Sequence, residues 1–465
     1  MVHGLEKQTA WVLGASEMSE STPIYYDITE VLLSTSAKRI QYYGIARTVL
    51  ELARQLALRK ENIHFVVFSF GMKAFFEVEW HKTTNGDIVF DLPKDTVQRW
   101  SRSYHGDNLL LSLLSRLTNI IGDRKNRAVW TNTAAELKEM RFDQGVFVSA
   151  ARPKLIVDMI KSIRKTGSQT DVVTLLHDFM PLHQIGTKRF RSFDRNFLND
   201  NNYVIQNTDL ILTNSRFTRQ ELLRFADAGI LPQPGPVTAI PLVHECPEGY
   251  ENGEIVLPSQ PYLLTVGLNL GRKNIEVVLE ALRLMDRQGL KIPNLAIAGA
   301  NRKRLRRYVE RKEFAGIRDK ITFFNNPNQT DLVRLYKNAL SLIIPSYIEG
   351  WGLPAGEALW CGTPAVCSTA QVFREVCGDL GLYFDPDDPA ALSEIVCKLQ
   401  DDAVFSNSIR EKIVNSRPRL RTWAIVANEM LEALRHEYPT AASADILKNQ
   451  PGDTGAAVSR NRSEI

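Results

Sequence analysis

The stretch that decides the fold is residues 340–366, LSLIIPSYIEGWGLPAGEALWCGTPAV. Its apolar start predicts a buried strand. A loop containing Gly350 and Gly352 follows, and Pro354 predicts the first turn of a helix, because a proline lacks the N–H that has no partner there anyway. Gly362 predicts the end of this helix before a second strand. The loop therefore lies at the carboxyl end of a strand, where open α/β sheets bind ligands.

Similar apolar runs occur along the whole chain, separated by segments with helical periodicity. Runs that are apolar at every position are typical of parallel strands covered on both faces. They lie at 63–70, 172–178, 210–215, 262–267, 295–299, 321–324, 340–345 and 364–368. Strands that alternate with helices in both halves predict two doubly wound, Rossmann-like α/β domains.

The length of 465 residues is also too great for one hydrophobic core. A segment rich in Pro and Gly at 232–261 predicts the connection between two domains. We assign residues 1–240 to a first domain, 241–420 to a second, and 421–438 to a helix that crosses back onto the first. The composition of residues 439–465 predicts a disordered tail.

Composition narrows the class of protein. The chain is 44% hydrophobic and 24% charged, and its net charge of +4 is too small to indicate a nucleic-acid binder. The five cysteines lack metal-binding spacing and suit a reducing compartment. The N-terminus has no signal-peptide pattern, and no apolar run reaches the roughly 20 residues that span a bilayer. We therefore expect a cytoplasmic protein, with at most peripheral attachment to the inner face of the plasma membrane.

Two glutamates, Glu349 and Glu357, flank the glycine loop. A carboxylate can accept hydrogen bonds from two sugar hydroxyls, while the free N–H groups of a helix start favour a diphosphate. A lone glutamate in such a place is more often simply solvated. The spacing, the glycines and the strand–loop–helix context together favour a nucleotide-sugar site, with Glu349 on the transferred sugar and Glu357 on the ribose.

A pair of cations, Arg272 and Lys273, follows a predicted strand and begins a helix. Cations are mildly unfavourable at a helix start, so the pair favours an anionic ligand over solvent. Positive charge here would stabilise a departing nucleoside diphosphate. Arginine is also suited to bidentate phosphate contact.

Two further segments carry candidate groups in the first half. His177 and Asp178 close a predicted strand on the ligand edge of the first domain; a lone histidine there is as often a core residue as a functional one. Gly44 and Arg47 belong to a short loop before a helix, which could admit phosphate or acceptor. The acidic run at 385–388 resembles a metal motif but follows a strand as a turn, so we expect no metal site.

The chain resembles the retaining glycosyltransferases of family 4, which have two Rossmann-like domains in the GT-B fold. Their hallmark is two glutamates separated by seven residues, and Glu349 and Glu357 have that spacing, with Trp351 in the usual aromatic position. Residues 262–275 are similar to the family's strand and phosphate-binding segment, and residues 378–386 to its last core strand and turn.

Motifs in the first half are similar to a branch that assembles bacterial polysaccharides and often uses GDP-mannose. They are YYDITEVLL, GIAR (44–47), HDFMPL (177–182) and TNSRFTRQELL (213–223). One position departs from the family, because Leu268 follows Gly267 where many members have an arginine. Lys273 is therefore a safer match to the family's phosphate-binding residues than an arrangement that relies on two arginines.

The resemblance implies a metal-independent hexosyltransferase without a cofactor, which moves mannose from GDP-mannose to a lipid-linked or growing saccharide in surface polysaccharide biosynthesis. It implies that the first domain is the acceptor side and that the second domain binds the nucleotide sugar. It also implies front-face attack, with the departing phosphate oxygen taking the acceptor's proton. The implied catalytic residues are Lys273, Glu349, His177 and Asp178. The implied donor-binding residues are Arg272, Gly350, Trp351, Gly352, Leu353, Glu357, Gly267, Gly44 and Arg47.

Two alternatives stay open at this stage. One is a non-catalytic, nucleotide-binding scaffold of a polysaccharide complex, and the other is a nucleotide-sugar epimerase of the same architecture. A lipid-linked acceptor would also imply membrane contact. Residues 154–167, KLIVDMIKSIRKTG, form an apolar stripe with flanking cations, which is typical of a core-packed surface helix and less often of a membrane-binding one.

Overall fold

The computed structural model describes most of the chain outside the termini. The described residues are 22–35, 44–93, 117, 120–122, 124–125, 127–131, 137–183, 191–246, 255–267, 270–299 and 303–437. Within them, the predicted α/β fold is confirmed, with one mainly parallel sheet and one fully parallel sheet. The predicted tail at 439–465 and the departure at Leu268 lie outside the described residues.

In the described part of the chain, the first domain contains a sheet of eight strands. They are β1 (Ile24–Asp27), β2 (Ile63–Ser69), β3 (Ala74–Glu77), β6 (Glu139–Met140), β7 (Val146–Ser149), β8 (Asp171–Leu176), β9 (Leu210–Thr213) and β10 (Val237–Ala239). Their order is β10-β9-β8-β7-β1-β2-β3-β6, and β3 runs antiparallel to both neighbours. The strands β4 (Trp80–Lys82) and β5 (Ile88–Phe90) form a separate antiparallel pair.

Helices cover this sheet. They are α1 (Thr29–Thr35), α2 (Gly44–Ala57), α3 (Pro153–Lys165), α4 (Arg191–Gln206) and α5 (Arg216–Asp227). Helix α3 contains the stripe for which membrane contact was considered. Its apolar residues Leu155, Ile156, Met159 and Ile160 are fully buried, in one cluster with strand residues of the sheet. The core-packing interpretation of this helix is therefore correct, and its apolar face is not available to a membrane.

The second domain contains six parallel strands among the described residues. They are β11 (Tyr262–Val266), β12 (Asn294–Gly299), β13 (Ile321–Asn325), β14 (Ser341–Ile344), β15 (Ala365–Ser368) and β16 (Leu382–Phe384). Their order, β13-β12-β11-β14-β15-β16, is that of dinucleotide-binding Rossmann domains. The chain reverses its direction of travel across the sheet between β11 and β14, and a crevice opens there at the carboxyl ends of the strands.

The helices of the second domain lie between and after these strands. They are α6 (Ile275–Arg287), α7 (Lys303–Val309), α8 (Gln329–Asn338), α9 (Leu353–Trp360), α10 (Gln371–Cys377), α11 (Pro389–Asp401), α12 (Ala403–Ser416) and α13 (Trp423–Glu437). Helix α9 begins one residue before Pro354 and ends two residues before Gly362, close to the predicted bounds. None of the described helices is long and apolar enough to cross a membrane.

Helix α13 joins the two domains. Helix α13 packs on α2, and apolar side chains of both helices belong to one buried cluster. The guanidinium of Arg59 donates to the amide oxygen of Asn428 at 3.1 and 2.9 Å. Within the segment at 232–261, Val237–Ala239 form β10 at the edge of the first sheet. Three residues are too few to show a period, which is why the pattern did not reveal this strand.

Candidate active site

The crevice of the second domain brings together the cations and the first glutamate. Arg272 and Lys273 lie after β11, and Glu349 lies after β14, so the change of direction in the sheet makes them neighbours. The Lys273 Nζ lies 2.5 Å from Glu349 Oε1, and the Arg272 Nη1 lies 3.0 Å from the same oxygen. Arg272 also donates to the carbonyl oxygen of Ile348 at 3.0 Å. The loop of the glutamate and the loop of the cations thus form one unit.

The charges of this unit hold Glu349 in its ionised form. Burial alone would raise the pKa of the Glu349 carboxyl, but attraction to Lys273 and Arg272 outweighs burial and keeps that pKa below its ordinary value. The unit therefore contains two cations against one carboxylate. It has positive charge left over for an anionic ligand.

Gly267 makes room for the lysine. Its φ is +94°, and a Cβ at this position would lie 3.4 Å from the Cε of Lys273. A side chain would thus be strained by the backbone and crowd the lysine. The glycine supports the cation site through packing.

The first domain contributes His177 and Asp178 from the end of β8. The His177 ring bonds through Nε2 to the carbonyl oxygen of Ala150 at 2.7 Å, and burial lowers the pKa of His177. Burial raises the pKa of Asp178 to about 6; the charge of Arg272 lowers it and that of Glu349 raises it further. Asp178 lies beside the glycine loop of the second domain, since a Cβ on Gly350 would be 3.1 Å from the Asp178 Cβ.

The glycine loop is in direct contact with the first domain. Ser215 Oγ donates to the Gly350 carbonyl oxygen at 2.7 Å, and a Cβ on Gly350 would overlap the carbonyl oxygen of His177. Gly352 has φ +91°, and a Cβ there would lie 2.7 Å from the ring of Phe373. The sequence predicted that these glycines make room for a ligand. In the structure they make room for the facing domain and for a core aromatic ring.

The second glutamate, Glu357, lies in the first turns of α9 and is 2% exposed. Arg47 at the start of α2 forms an ion pair with its Oε1, and the Tyr336 hydroxyl donates to its Oε2 at 2.8 Å. Gly44, the first residue of α2, lies beside Leu353, the first residue of α9, since a Cβ on Gly44 would be 3.7 Å from the Leu353 Cδ1. Four of the sequence-predicted residues therefore meet where α2 of one domain faces α9 of the other.

Trp351 does not project its side chain into the crevice. The indole is 3% exposed, and its Nε1 donates to the carbonyl oxygen of Val243 at 2.9 Å. Its ring centroid lies 6.1 Å from that of His244. The side chain packs against the interdomain connection, so any contact with a donor would come from its backbone.

Sequence reasoning missed three groups that organise the site. Tyr336 binds Glu357, and no motif marks it. Glu375 accepts from the backbone N–H groups of Arg216 and Phe217 at 2.8 and 3.0 Å, which caps α5 across the cleft. Ser215 could have been found, because a serine before a helical period is an N-cap signal, and it accepts from the Thr218 N–H.

The acidic run at 385–388 has structural partners. Asp388 caps α11 by accepting from the N–H groups of Ala390 and Ala391 at 2.9 and 3.0 Å. Asp387 accepts from the Tyr347 hydroxyl at 2.6 Å. In the described residues, no group of three or more His, Cys, Asp or Glu side chains is placed to hold a metal ion.

Comparison with known proteins agrees with this geometry. Residues 254–416 match the family model of glycosyl transferases group 1. The chain is 32% identical over 217 residues to O-antigen chain mannosyltransferase B of Escherichia coli, which covers 43% of this chain and 54% of the relative. It is 32% identical over 112 residues to O-antigen chain mannosyltransferase RfbU of Salmonella typhimurium, over 23% of this chain and 32% of the relative. The chain thus spans about half of the length of the first relative and about a third of the length of the second.

Solved structures with the same fold are more distant in sequence. Sucrose-phosphate synthase from Thermosynechococcus elongatus superposes with a TM-score of 0.60 at 17% identity, over 90% of this chain and 99% of the other. A trehalose 6-phosphate synthase from Burkholderia multivorans superposes with a TM-score of 0.56 at 12% identity, over 94% and 100%. The fold is therefore GT-B. In sequence, residues 254–416 are similar to glycosyl transferases group 1, and parts of the chain are similar to O-antigen mannosyltransferases.

Proposed function

We propose that this protein transfers a hexose, mannose from GDP-mannose, to a saccharide acceptor and retains the donor's anomeric configuration. The observation that carries the proposal is the unit of Arg272, Lys273 and Glu349 in the crevice of the second domain. Its surplus positive charge suits a diphosphate. Cations that are already in place where negative charge develops are usually the largest contribution to catalysis.

In this scheme, the diphosphate binds Arg272 and Lys273 and draws them away from Glu349. The carboxylate then accepts hydrogen bonds from hydroxyls of the transferred sugar. The ribose binds Glu357, which requires the Arg47 side chain to move, because Glu357 is 2% exposed and Arg47 covers one of its oxygens. Donor binding is thus expected to rearrange the contact between α2 and α9.

The reaction exchanges one bond to the anomeric carbon for another. The acceptor hydroxyl attacks from the face that the diphosphate leaves, the bond from the anomeric carbon to the phosphate oxygen breaks, and the acceptor's proton passes to that oxygen. The products are the glycoside and the nucleoside diphosphate. His177, whose ring orientation is fixed by Ala150, and Asp178 shape the sugar side of the crevice.

The acceptor class follows from the relatives. They are named as O-antigen chain mannosyltransferases, and we extend to this chain a role in surface polysaccharide synthesis with a lipid-linked or growing saccharide as acceptor. Any contact with a membrane surface would use residues other than the buried stripe of α3.

The test is a panel of GDP-, UDP- and dTDP-sugars with a mannose-containing oligosaccharide as acceptor. We expect nucleoside diphosphate release that depends on both GDP-mannose and acceptor, and an α-linked product by NMR. A β-linked product would refute retention. Conversion of the donor to another nucleotide sugar without acceptor would identify an epimerase, and nucleotide binding without turnover on any donor would identify a scaffold.

A further inference from the structure

Asn274, the residue directly after Lys273, has an unusual backbone conformation. Its φ is +47° and its ψ is +40°, in the left-handed region that residues other than glycine rarely adopt. It is the N-cap of α6, and an asparagine at an N-cap ordinarily accepts from the N–H groups of the first helical turn. Among the described residues, the Asn274 side chain makes no such capping bond. The side chain is directed to another partner.

That partner is the acidic run at 385–388, which follows the last strand, β16. The Asn274 Nδ2 donates to the carbonyl oxygen of Pro386 at 2.7 Å, and the asparagine is 5% exposed. Its backbone N–H donates to the Gly271 carbonyl oxygen at 2.8 Å, across the loop that carries Arg272 and Lys273. The first bond attaches this loop to the end of β16, and the second closes the loop on itself.

Tyr347 attaches the loop of Glu349 to the same acidic run. Its hydroxyl donates to the Asp387 Oδ1 at 2.6 Å. Burial and this hydrogen bond raise the pKa of Tyr347 to about 12, so the hydroxyl keeps its proton at neutral pH and can donate it to the bond. The Tyr347 backbone N–H donates to the Arg272 carbonyl oxygen at 3.0 Å. The loop of the cations and the loop of the glutamate are thus bound to each other and to one turn.

The backbone conformation of Asn274 does not by itself explain an asparagine. A glycine would adopt the left-handed region with less strain. The bond to Pro386 explains the amide, because a buried donor needs an acceptor and this one finds it on a neighbouring loop. The bond also limits the directions in which the side chain of Lys273, one residue earlier, can leave the loop. The acidic run supplies the fixed points of both loops, through a backbone carbonyl and a carboxylate.

We propose that Asn274 is a positioning residue, which anchors the loop of Arg272 and Lys273 to the acidic run and so holds both cations where a diphosphate binds. Tyr347 supports the same anchor from the loop of Glu349. The inference rests on the proposed function, because it takes the ligand of the two cations to be a nucleoside diphosphate. It goes beyond that function by giving the acidic run a role in shaping the donor site.

A double-mutant cycle of Asn274→Gly and Lys273→Ala tests the inference on the full chain. Asn274→Gly permits the left-handed conformation and removes the amide. We expect it to lower turnover about 10–10²-fold, as for a catalytic group that is slightly misplaced, and to raise the Kd of GDP about tenfold. In the Lys273→Ala background, it should change either quantity less than about threefold, because most of its effect passes through Lys273. A general loss of structure would give the same factor in both backgrounds.

Asn294→Gly is the matched control. The Asn294 Nδ2 also donates to a backbone carbonyl oxygen, that of Ser259 at 2.8 Å, but Asn294 begins β12 and so lies at the amino end of the sheet. We expect wild-type turnover and GDP binding for this variant. Tyr347→Phe, which removes one hydroxyl, is a second test of the anchor. If Asn274→Gly does not fold, Tyr347→Phe should show the same dependence on Lys273.

The outcomes separate this inference from the proposed function. Equal losses from Asn274→Gly with and without Lys273, or turnover and GDP binding close to those of the wild type, would overturn the positioning role. Either result leaves the transferase intact if GDP-mannose still supports turnover of the wild type. A loss of GDP binding that depends on Lys273, in a protein that turns over no nucleotide sugar, would support the positioning role and refute the transferase.

Discussion

At the scale of single residues, the site depends on charges that are balanced within the protein before any ligand binds. Lys273 and Arg272 share one oxygen of Glu349, and Asp178 of the other domain lies beside Gly350, the residue after this glutamate. The spacing of these residues in the sequence predicts their roles toward a ligand. It does not predict their contacts with one another.

Lys273→Ala is expected to lower turnover by about 10²–10³, the usual loss for one preorganised group that stabilises developing charge. GDP should also bind more weakly, because a contact to the diphosphate is lost. Steady-state kinetics and titration with GDP measure both effects. Lys337→Ala, at an exposed position of α8, is the control, and near-normal turnover of Lys273→Ala would remove the leaving-group role.

Asp178 is expected to make stability depend on pH. Its pKa is about 6 in the folded protein and lower in the unfolded chain, so its proton favours the folded state. This contribution is complete below pH 4 and is lost as the pH rises through 6, and its size is on the order of 3 kcal/mol. Unfolding by urea at pH 4–7 should show wild type losing stability relative to Asp178→Asn as pH increases. A constant difference between the two proteins would contradict the assignment.

At the scale of elements, the helix that the opening stretch predicts is stabilised by a partner that the stretch cannot reveal. Helix α9 carries Glu357, and α2 of the other domain supplies Arg47. Both side chains are buried, so each needs the other to balance its charge. The two helices therefore form the main polar contact between the domains at this end of the cleft.

A double-mutant cycle tests this contact. Arg47→Met and Glu357→Gln should each lower the free energy of unfolding by about 3 kcal/mol, because each leaves one buried charge without its partner. The double variant should lose clearly less than the sum of the two. The exposed pair of Arg311 and Glu313, 3.4 Å apart, is the control and should show a coupling below about 1 kcal/mol. Strict additivity at Arg47 and Glu357 would exclude the coupling.

At the scale of the whole molecule, besides the pair of Arg47 and Glu357, the domains meet through the glycine loop, the capped start of α5 and the packing of α13 on α2. The first two contacts lie at the cleft, and the third lies away from it. Closure of the cleft thus depends on a few polar contacts and on a close approach at Gly350. The apolar contact between α13 and α2 can keep the domains together when the cleft opens.

Gly350→Ala is expected to hold the cleft open. The new methyl group would overlap the His177 carbonyl oxygen, so the loop could not approach the first domain as it does now. The radius of gyration from small-angle scattering should rise and turnover should fall, while the circular dichroism spectrum stays that of the wild type. Gly235→Ala is the control, because its Cβ would meet only the Asp209 carbonyl oxygen at 3.8 Å. An unchanged radius with full activity would show that this approach is not needed.

The sequence by itself determined eight of the described strands, the helix after the glycine loop and the candidate residues, because apolar periods and the signals of proline and glycine act over a few neighbouring residues. Glu349, Lys273 and Asp178 were all predicted in this way. Tertiary structure alone decided what these residues touch. The pairing of Arg47 with Glu357 joins positions 310 apart, and the cap from Glu375 to α5 joins positions 159 apart. Tertiary structure also decided that Gly350 contacts the other domain and that the apolar stripe of α3 lies in the core. Burial depends on which surfaces the folded chain brings together, and a local sequence pattern carries no information on that.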